Sequence, residues 1–328
     1  MKYFQHHNAG SVAEAVALLR KFEGRAKLIA GGTDLIGTLK GDILPEYPAA
    51  VINIKTIPGL DFIRTEGEDI VIGALTKLAE LVQSPMVKEN FPLLADAAES
   101  VAGPEIRNMG TIAGNLCQDT RCWYYRYPNS MGGRIQCFRK GKGPCPAIKG
   151  DNRYHAIFDG KKCFAVCPSD IAVALAALDA GLTIAGSDGE RNVPLKDFYK
   201  PLGYVLKPDE LLTSIRIPSA FRQTPQRFVK FRVRESVDFA IASVAMAVIL
   251  ADGIGRDARI VLGAVAPTPY RAIEAEKAVI GQGLTASTAE AAAQSAVIHA
   301  RPLRRNAYKV EIVKALIRRA MKEIGDRR

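Results

Sequence analysis

The first hundred residues alternate short apolar runs with amphipathic stretches in a βα rhythm. Ser11-Val-Ala-Glu14 has the form of a capping box, and apolar residues follow at Val12, Ala15, Val16 and Leu19. That spacing lines one face of a 3.6-residue period, so a helix is predicted over 11–22. Residues 27–30 read as a short buried strand, broken by Gly31-Gly32-Thr33-Asp34. Residues 51–54, 62–64 and 70–72 read as further strands between Pro or Gly turns. Helical spacing marks 76–82 and 93–101. The period then vanishes from 103 to 170, where Gly, Pro, Cys, Arg and Tyr dominate. A patternless stretch of that length is improbable inside a packed domain unless something orders it.

Periodicity returns with a helix predicted over 170–178, a strand over 183–185 and an ordered run over 208–217 that leads into Pro218. Residues 219–226, S-A-F-R-Q-T-P-Q, break the composition and read as a linker. Beyond them the pattern predicts strands over 227–234, 243–250 and 259–265, and helices over 270–280, 286–299 and 309–324. No internal repeat is visible. Two units, 1–220 and 221–328, suit a chain of 328 residues.

Composition removes several classes. With 48% hydrophobic and 24% charged residues the chain is neither disordered nor collagen-like. Lys and Arg total 45 against 34 Asp and Glu, a net charge of +11, but no basic arm concentrates it; the densest run is 134–142. So diffuse an excess suits an acidic partner subunit or an anionic cofactor at least as well as nucleic acid. A nucleic-acid-binding metalloprotein is the rival in another class; it predicts salt-sensitive binding and no flavin absorbance. The favoured reading has no nucleic-acid partner. No apolar run approaches the ~18 residues of a membrane span, and the start carries no apolar leader. A cytoplasmic protein is expected, or one exported only with a partner.

Leu28-Ile-Ala-Gly-Gly-Thr-Asp-Leu35 sets two glycines directly after a strand. Glycine lets backbone N–H groups approach an anion, and Thr33 adds a hydroxyl. Alone, this reads first as an ordinary strand-end turn. A second loop, with Gly110, Thr111, Gly114 and Asn115, changes the balance, because two small-residue loops in one unit suit a long ligand with a pyrophosphate. Neither a Walker A pattern nor G-x-G-x-x-G is present, which argues against a P-loop and a Rossmann nicotinamide site.

The six cysteines are Cys117, Cys122, Cys137, Cys145, Cys163 and Cys167, all inside the patternless stretch. Without a leader, such clustering points to metal rather than disulfides. No C-x-x-C pair exists, so a zinc ribbon is weakly supported, and the ferredoxin run is absent. Dispersed thiolates in a Gly/Arg/Lys-rich loop can still hold an iron–sulfur cluster, with Arg121, Arg126, Arg139, Lys140 and Lys142 offsetting its charge. Cys117 and Cys167 read equally well as buried apolar thiols. His155 reads first as a structural histidine, with a role beside the cluster as the alternative. Trp123, Tyr124 and Tyr125 read as packing around it. No H-E-x-x-H, no G-x-S-x-G and no acid/base pair appears, so no catalytic residue is assigned.

These residues resemble the flavoprotein (medium) subunit of the molybdenum hydroxylases, the xanthine dehydrogenase and aldehyde oxidoreductase family. The resemblance rests on 30–35, on 110–115 and on Pro168-Ser-Asp-Ile-Ala172, and it extends through the C-terminal unit. The cysteine insertion resembles the subgroup that also binds a 4Fe–4S cluster, as in the beta subunit of 4-hydroxybenzoyl-CoA reductase and some bacterial aldehyde oxidoreductases and xanthine dehydrogenases. The resemblance implies an α+β fold: a two-subdomain FAD-binding domain of the vanillyl-alcohol oxidase/CO dehydrogenase flavoprotein type over 1–220, a cysteine-rich loop insertion at about 117–168, and a smaller C-terminal α+β domain over 221–328 of CO dehydrogenase flavoprotein type. FAD is then implied against Lys27, Leu28, Ile29, Ala30, Gly31, Gly32, Thr33, Asp34 and Leu35. Further contacts implied are Ala102, Gly110, Thr111, Gly114, Asn115, Gln118, Asp170 and Lys230. The implied cluster ligands are Cys122, Cys137, Cys145 and Cys163, with Cys167 open as an exchange for the last.

The implied role is electron transfer, between 2Fe–2S clusters of a small partner subunit, FAD, the 4Fe–4S cluster and an external partner such as NAD or ferredoxin. Substrate chemistry would lie in a molybdopterin-binding large subunit, within a heterotrimer or a dimer of heterotrimers. Inward flow, as in a reductive dehydroxylase of the 4-hydroxybenzoyl-CoA reductase type, is the alternative. A free-standing flavoenzyme is a remote one, disfavoured by the missing acid/base set.

Overall fold

The structure is a computed structural model and describes residues 1–326. Strands β1 (Gln5–Asn8), β2 (Ala26–Ile29) and β3 (Ala50–Asn53) form a parallel sheet in the order β1-β3-β2. Helix Val12–Lys21 connects β1 to β2 and buries Ala15, Val16 and Leu19. Ser11 Oγ accepts the Glu14 N–H at 3.1 Å, as a cap should. The Glu14 carboxylate accepts from Gly10 N–H at 2.7 Å, one residue ahead of the cap, so the box is closed in a shifted form. After β2 the diglycine turn leads into helix Leu35–Lys40, too short to leave a periodic signal.

The second sheet is antiparallel. It comprises β4 (Ile63–Glu66), β5 (Asp69–Gly73), β6 (Gly181–Gly186) and β7 (Gly189–Pro194), and, after a two-residue hairpin of β8 (Tyr199–Lys200) and β9 (Gly203–Tyr204), β10 (Leu211–Ile217). Its order is β4-β5-β10-β6-β7. Helices Leu78–Gln83, Pro92–Glu99 and Asp170–Ala177 supply residues to the core that also takes the sheet's Ile70, Ile72, Leu182 and Ile215.

Strands β11 (Gln226–Phe231), β12 (Ala242–Ala251), β13 (Ile254–Gly263) and β14 (Tyr270–Arg271) form a third, antiparallel sheet in sequential order. Residues of β12 alternate between two cores. Val244, Met246 and Val248 pack with residues of helices Ile273–Val279, Ala286–Ala296 and Tyr308–Gly325. Ala245 and Ala247 face the first unit's core, with Ile171 and Leu175. Both faces are covered, which explains why β12 is apolar without interruption. The expected linker is therefore no loose tether: Phe221 is buried in the first core, and Arg222 donates to Asn90 Oδ1 at 2.7 Å. The helix expected over 270–280 starts instead as β14.

The patternless stretch holds helices Pro104–Met109, Ile112–Leu116 and Trp123–Arg126 and two single turns, Phe138–Lys140 and Pro146–Ile148. Its far end belongs to the C-terminal core, where Ile157 and Phe158 are buried. Ile157 N–H donates to Val265 O at 2.8 Å, and Asn306 Nδ2 donates to the His155 and Ala156 carbonyls at 3.1 and 3.2 Å. Among the described residues no helix is long and apolar enough to cross a membrane.

Candidate functional site

The two glycine loops meet. Gly32 takes a left-handed φ of 72°, which turns the chain from β2 into the following helix. A Cβ on Gly31 would overlap the carbonyl of Met109 and stand 3.0 Å from Gly110 Cα. The first loop keeps its donors free: the N–H groups of Gly31, Gly32, Thr33, Asp34 and Leu35 have no acceptor among the described residues. A turn with that many unpaired donors is what the oxygens of a phosphate require.

The second loop's donors are taken up by the protein itself. Ile112 N–H goes to Thr76 O at 2.9 Å and Gly114 N–H to Thr111 Oγ1 at 3.1 Å. Asn115 Oδ1 accepts the Ser169 hydroxyl at 2.6 Å, and Ser169 caps the helix that starts at Asp170. Gln118 donates to Asn115 O at 3.0 Å and accepts from Arg121 at 2.9 Å. This loop is a platform under the first. Ala102, also left-handed at φ 45°, is held through its carbonyl by Arg107. Lys27 is exposed on β2, while Leu28, Ile29 and Ala30 are half-buried.

Asp34 is clamped by two arginines the sequence reading assigned only to the cysteines. Its Oδ1 lies 2.8 Å from Arg121 and 2.7 Å from Arg126, and its Oδ2 accepts the Asp119 N–H at 2.9 Å. Arg126 also donates to Thr38 Oγ1 at 3.0 Å. The clamp offsets a carboxylate that would otherwise repel an anion at this turn, and it ties the turn to the cysteine insertion. Asp34, expected among the flavin contacts, thus spends both carboxylate oxygens on protein partners.

Arg121 also lines a cavity of about 360 Å³ with Asp170, His155 and the β11–β12 connection, including Val233, Phe239 and Ile241. Its guanidinium stacks over the Phe239 ring at 4.6 Å. Below the cavity Asp170 pairs with Lys230 at 2.7 Å, both side chains nearly fully buried, and Lys230 donates to Ser100 O at 2.9 Å. Lys230→Met leaves Asp170 buried without its counter-charge. The expected cost is about 3–5 kcal/mol, read as a lower urea midpoint. A double variant with Asp170→Asn should recover much of the loss; a single variant as stable as the parent contradicts the pairing.

Cys122, Cys137, Cys145 and Cys163 line one small cavity. Cys122, Cys137 and Cys145 each stand just before a short helical turn. The backbone amides of Tyr125 and Tyr124 favour the Cys122 thiolate, and those of Phe164 and Ala147 the Cys145 thiolate. Burial nevertheless pushes the Cys122 thiol up to about 11. Cys122 borders both this cavity and the larger one. Lys140 is buried, and its ammonium has no hydrogen-bond partner among the described residues; burial lowers its pKa, and the thiols of Cys137 and Cys122 would oppose that shift if ionised.

Cys117 and Cys167 do not line the thiol cavity. They pack on the first unit's core, and burial pushes both thiols up to about 12. Among the described residues no three His, Cys, Asp or Glu side chains close on a single metal ion. One ion draws thiolates to about 2.3 Å from a point; a cluster interposes its own atoms and holds them further apart.

Residues 2–220 match the family described as the FAD binding domain in molybdopterin dehydrogenase. The chain belongs to the FAD-binding subunits of the molybdopterin dehydrogenases. Residues 227–324 of this family member match the CO dehydrogenase flavoprotein C-terminal domain. It is 34% identical to the aldehyde oxidoreductase FAD-binding subunit PaoB of Escherichia coli, with 98% of each chain covered. It is 30% identical to the carbon monoxide dehydrogenase medium chain of Hydrogenophaga pseudoflava, covering 97% of this chain and 96% of that one. The solved carbon monoxide dehydrogenase of Hydrogenophaga pseudoflava, in a form lacking the Mo-pyranopterin moiety, superposes with a TM-score of 0.79 at 29% identity over 99% of this chain and 98% of that one. The expected α+β flavoprotein fold with a second, smaller C-terminal domain is thus the fold observed, and FAD is the cofactor of the family.

Proposed function

We propose that this chain is the electron-transfer subunit of a molybdenum-dependent hydroxylase or dehydrogenase complex, and that it carries a 4Fe–4S cluster beside FAD. The observation that carries the reading is the pair of adjoining cavities, one lined by four thiols and the other by Arg121 and Asp170, with Cys122 on the wall of both. The residues fit both groups. The unpaired N–H groups from Gly31 to Leu35 would hold the flavin pyrophosphate, and the larger cavity above the Asp170–Lys230 pair would take its ring. The four thiols would ligate the cluster, and the unpaired Lys140 ammonium would meet its negative charge. FAD exchanges electrons singly or in pairs, and a 4Fe–4S cluster exchanges them one at a time.

The chain's own work is to fix the two sites side by side and to keep water from the thiols. Substrate would be transformed on a molybdopterin-binding large subunit, with a 2Fe–2S small subunit between. NAD, ferredoxin or another carrier would serve as external partner, and the assembly would be a heterotrimer or its dimer. Relatives named aldehyde oxidoreductase and carbon monoxide dehydrogenase support an oxidising complex over an inward-running dehydroxylase. The test is the native complex. Denaturation should release FAD equimolar with this chain, and Mössbauer spectra should show a four-iron cluster beside the two-iron ones. A complex with flavin but only two-iron clusters removes the 4Fe–4S reading. Substrate turnover by the isolated chain removes the subunit reading.

A further inference from the structure

We propose that His155 tunes the cluster: its Nε2–H donates a hydrogen bond to the Cys122 sulfur and holds the cluster at a higher potential than it would otherwise have. The inference rests on Cys122 being a cluster ligand. Nε2 lies 3.2 Å from Cys122 Sγ. A ligating cysteine is a thiolate with no proton to give, so the hydrogen must come from the ring. The tautomer follows. Nε2 carries the proton, and Nδ1, buried without a partner among the described residues, is a bare acceptor. The opposite tautomer would bury an unpaired N–H and set a lone pair against a thiolate, both costly.

The ring is held by packing on its Trp123 and Tyr124 sides and by its anchored backbone. His155 is 2% exposed, and the rings of Trp123 and Tyr124 pack on it at 5.8 and 6.0 Å. Its N–H donates to Asn152 O at 3.0 Å, and its carbonyl accepts from Asn306. Among the described residues no other side-chain N–H reaches one of the four sulfurs. A donor fixed on a ligand sulfur draws electron density from the cluster and stabilises its reduced, more negative form.

The experiment uses the native complex with ¹⁵N-histidine. Pulsed EPR of the reduced four-iron cluster should detect one weakly coupled histidine nitrogen. His155→Phe should remove that coupling and lower the midpoint in a redox titration, with iron content retained. His155→Gln, which keeps an N–H, should fall between the two. A cluster without histidine coupling overturns the proposal, as does a coupling strong enough for direct ligation, or a midpoint unmoved in His155→Phe. Absence of any four-iron signal removes the cluster reading itself, which separates the two failures.

Discussion

Cys137→Ser in the assembled complex is expected to remove about four iron and four sulfide per chain, while Cys117→Ser leaves both in place. Cys137 lies in the wall of the thiol cavity with Cys122, Cys145 and Cys163, and Lys140 follows it by one turn. A serine hydroxyl is a poor ligand for iron, and the remaining three thiols leave one corner open. Cys117 packs on an apolar core instead, where a hydroxyl costs a little stability and no metal. The Cys163→Ser and Cys167→Ser pair settles the fourth ligand by the same assay, with loss expected only for Cys163. Metal analysis and the low-temperature EPR spectrum read all four. Iron retained in Cys137→Ser and lost in Cys117→Ser would show the assignment reversed.

The second large effect is expected at Gly31. Its replacement by Ala drives a methyl into the Met109 carbonyl, backbone against backbone, with no flexible side chain to give way. The two glycine loops must part, and the run of free donors moves off its platform. Overpacking of this kind costs about 1–3 kcal/mol; taken from binding, that is about a fivefold to a hundredfold loss of flavin affinity. Flavin-to-protein ratio after gel filtration is the readout. Gly37→Ala is the control: the added methyl meets nothing within 4 Å, and the helical position should gain about 0.5–1 kcal/mol. Full flavin in Gly31→Ala would mean that the loops do not need their close contact.

Much of the scaffold was legible because local rules sufficed. The helix after Ser11 carries both period and cap, the one before Leu178 is an apolar run behind a capping serine, and the glycine loops stand out as small residues after apolar runs. The thiols could be grouped only because they crowd one region; that Cys163, and not Cys167, shares a cavity with the other three depends on tertiary packing. Arg121 and Arg126 were read as cluster neighbours, whereas they hold Asp34 across 87 and 92 positions of chain, a pairing no local pattern encodes. The segment 219–226 reads as a linker by composition, yet one aromatic, Phe221, anchors it. No motif marks the β11–β12 connection, which folding sets beside Asp170 on the wall of the larger cavity.

The cysteine loop borrows part of its floor from far along the chain. Cys167 N–H is held by Ala266, Ile157 by Val265, and the His155 carbonyl by Asn306. During synthesis those supports leave the ribosome long after the thiols do. The thiol cavity therefore stays open-sided until translation is almost over, and on the proposed function iron insertion would wait for a nearly finished polypeptide. A prematurely stopped product would leave these thiols uncovered and open to oxidation from which burial shields them in the finished fold.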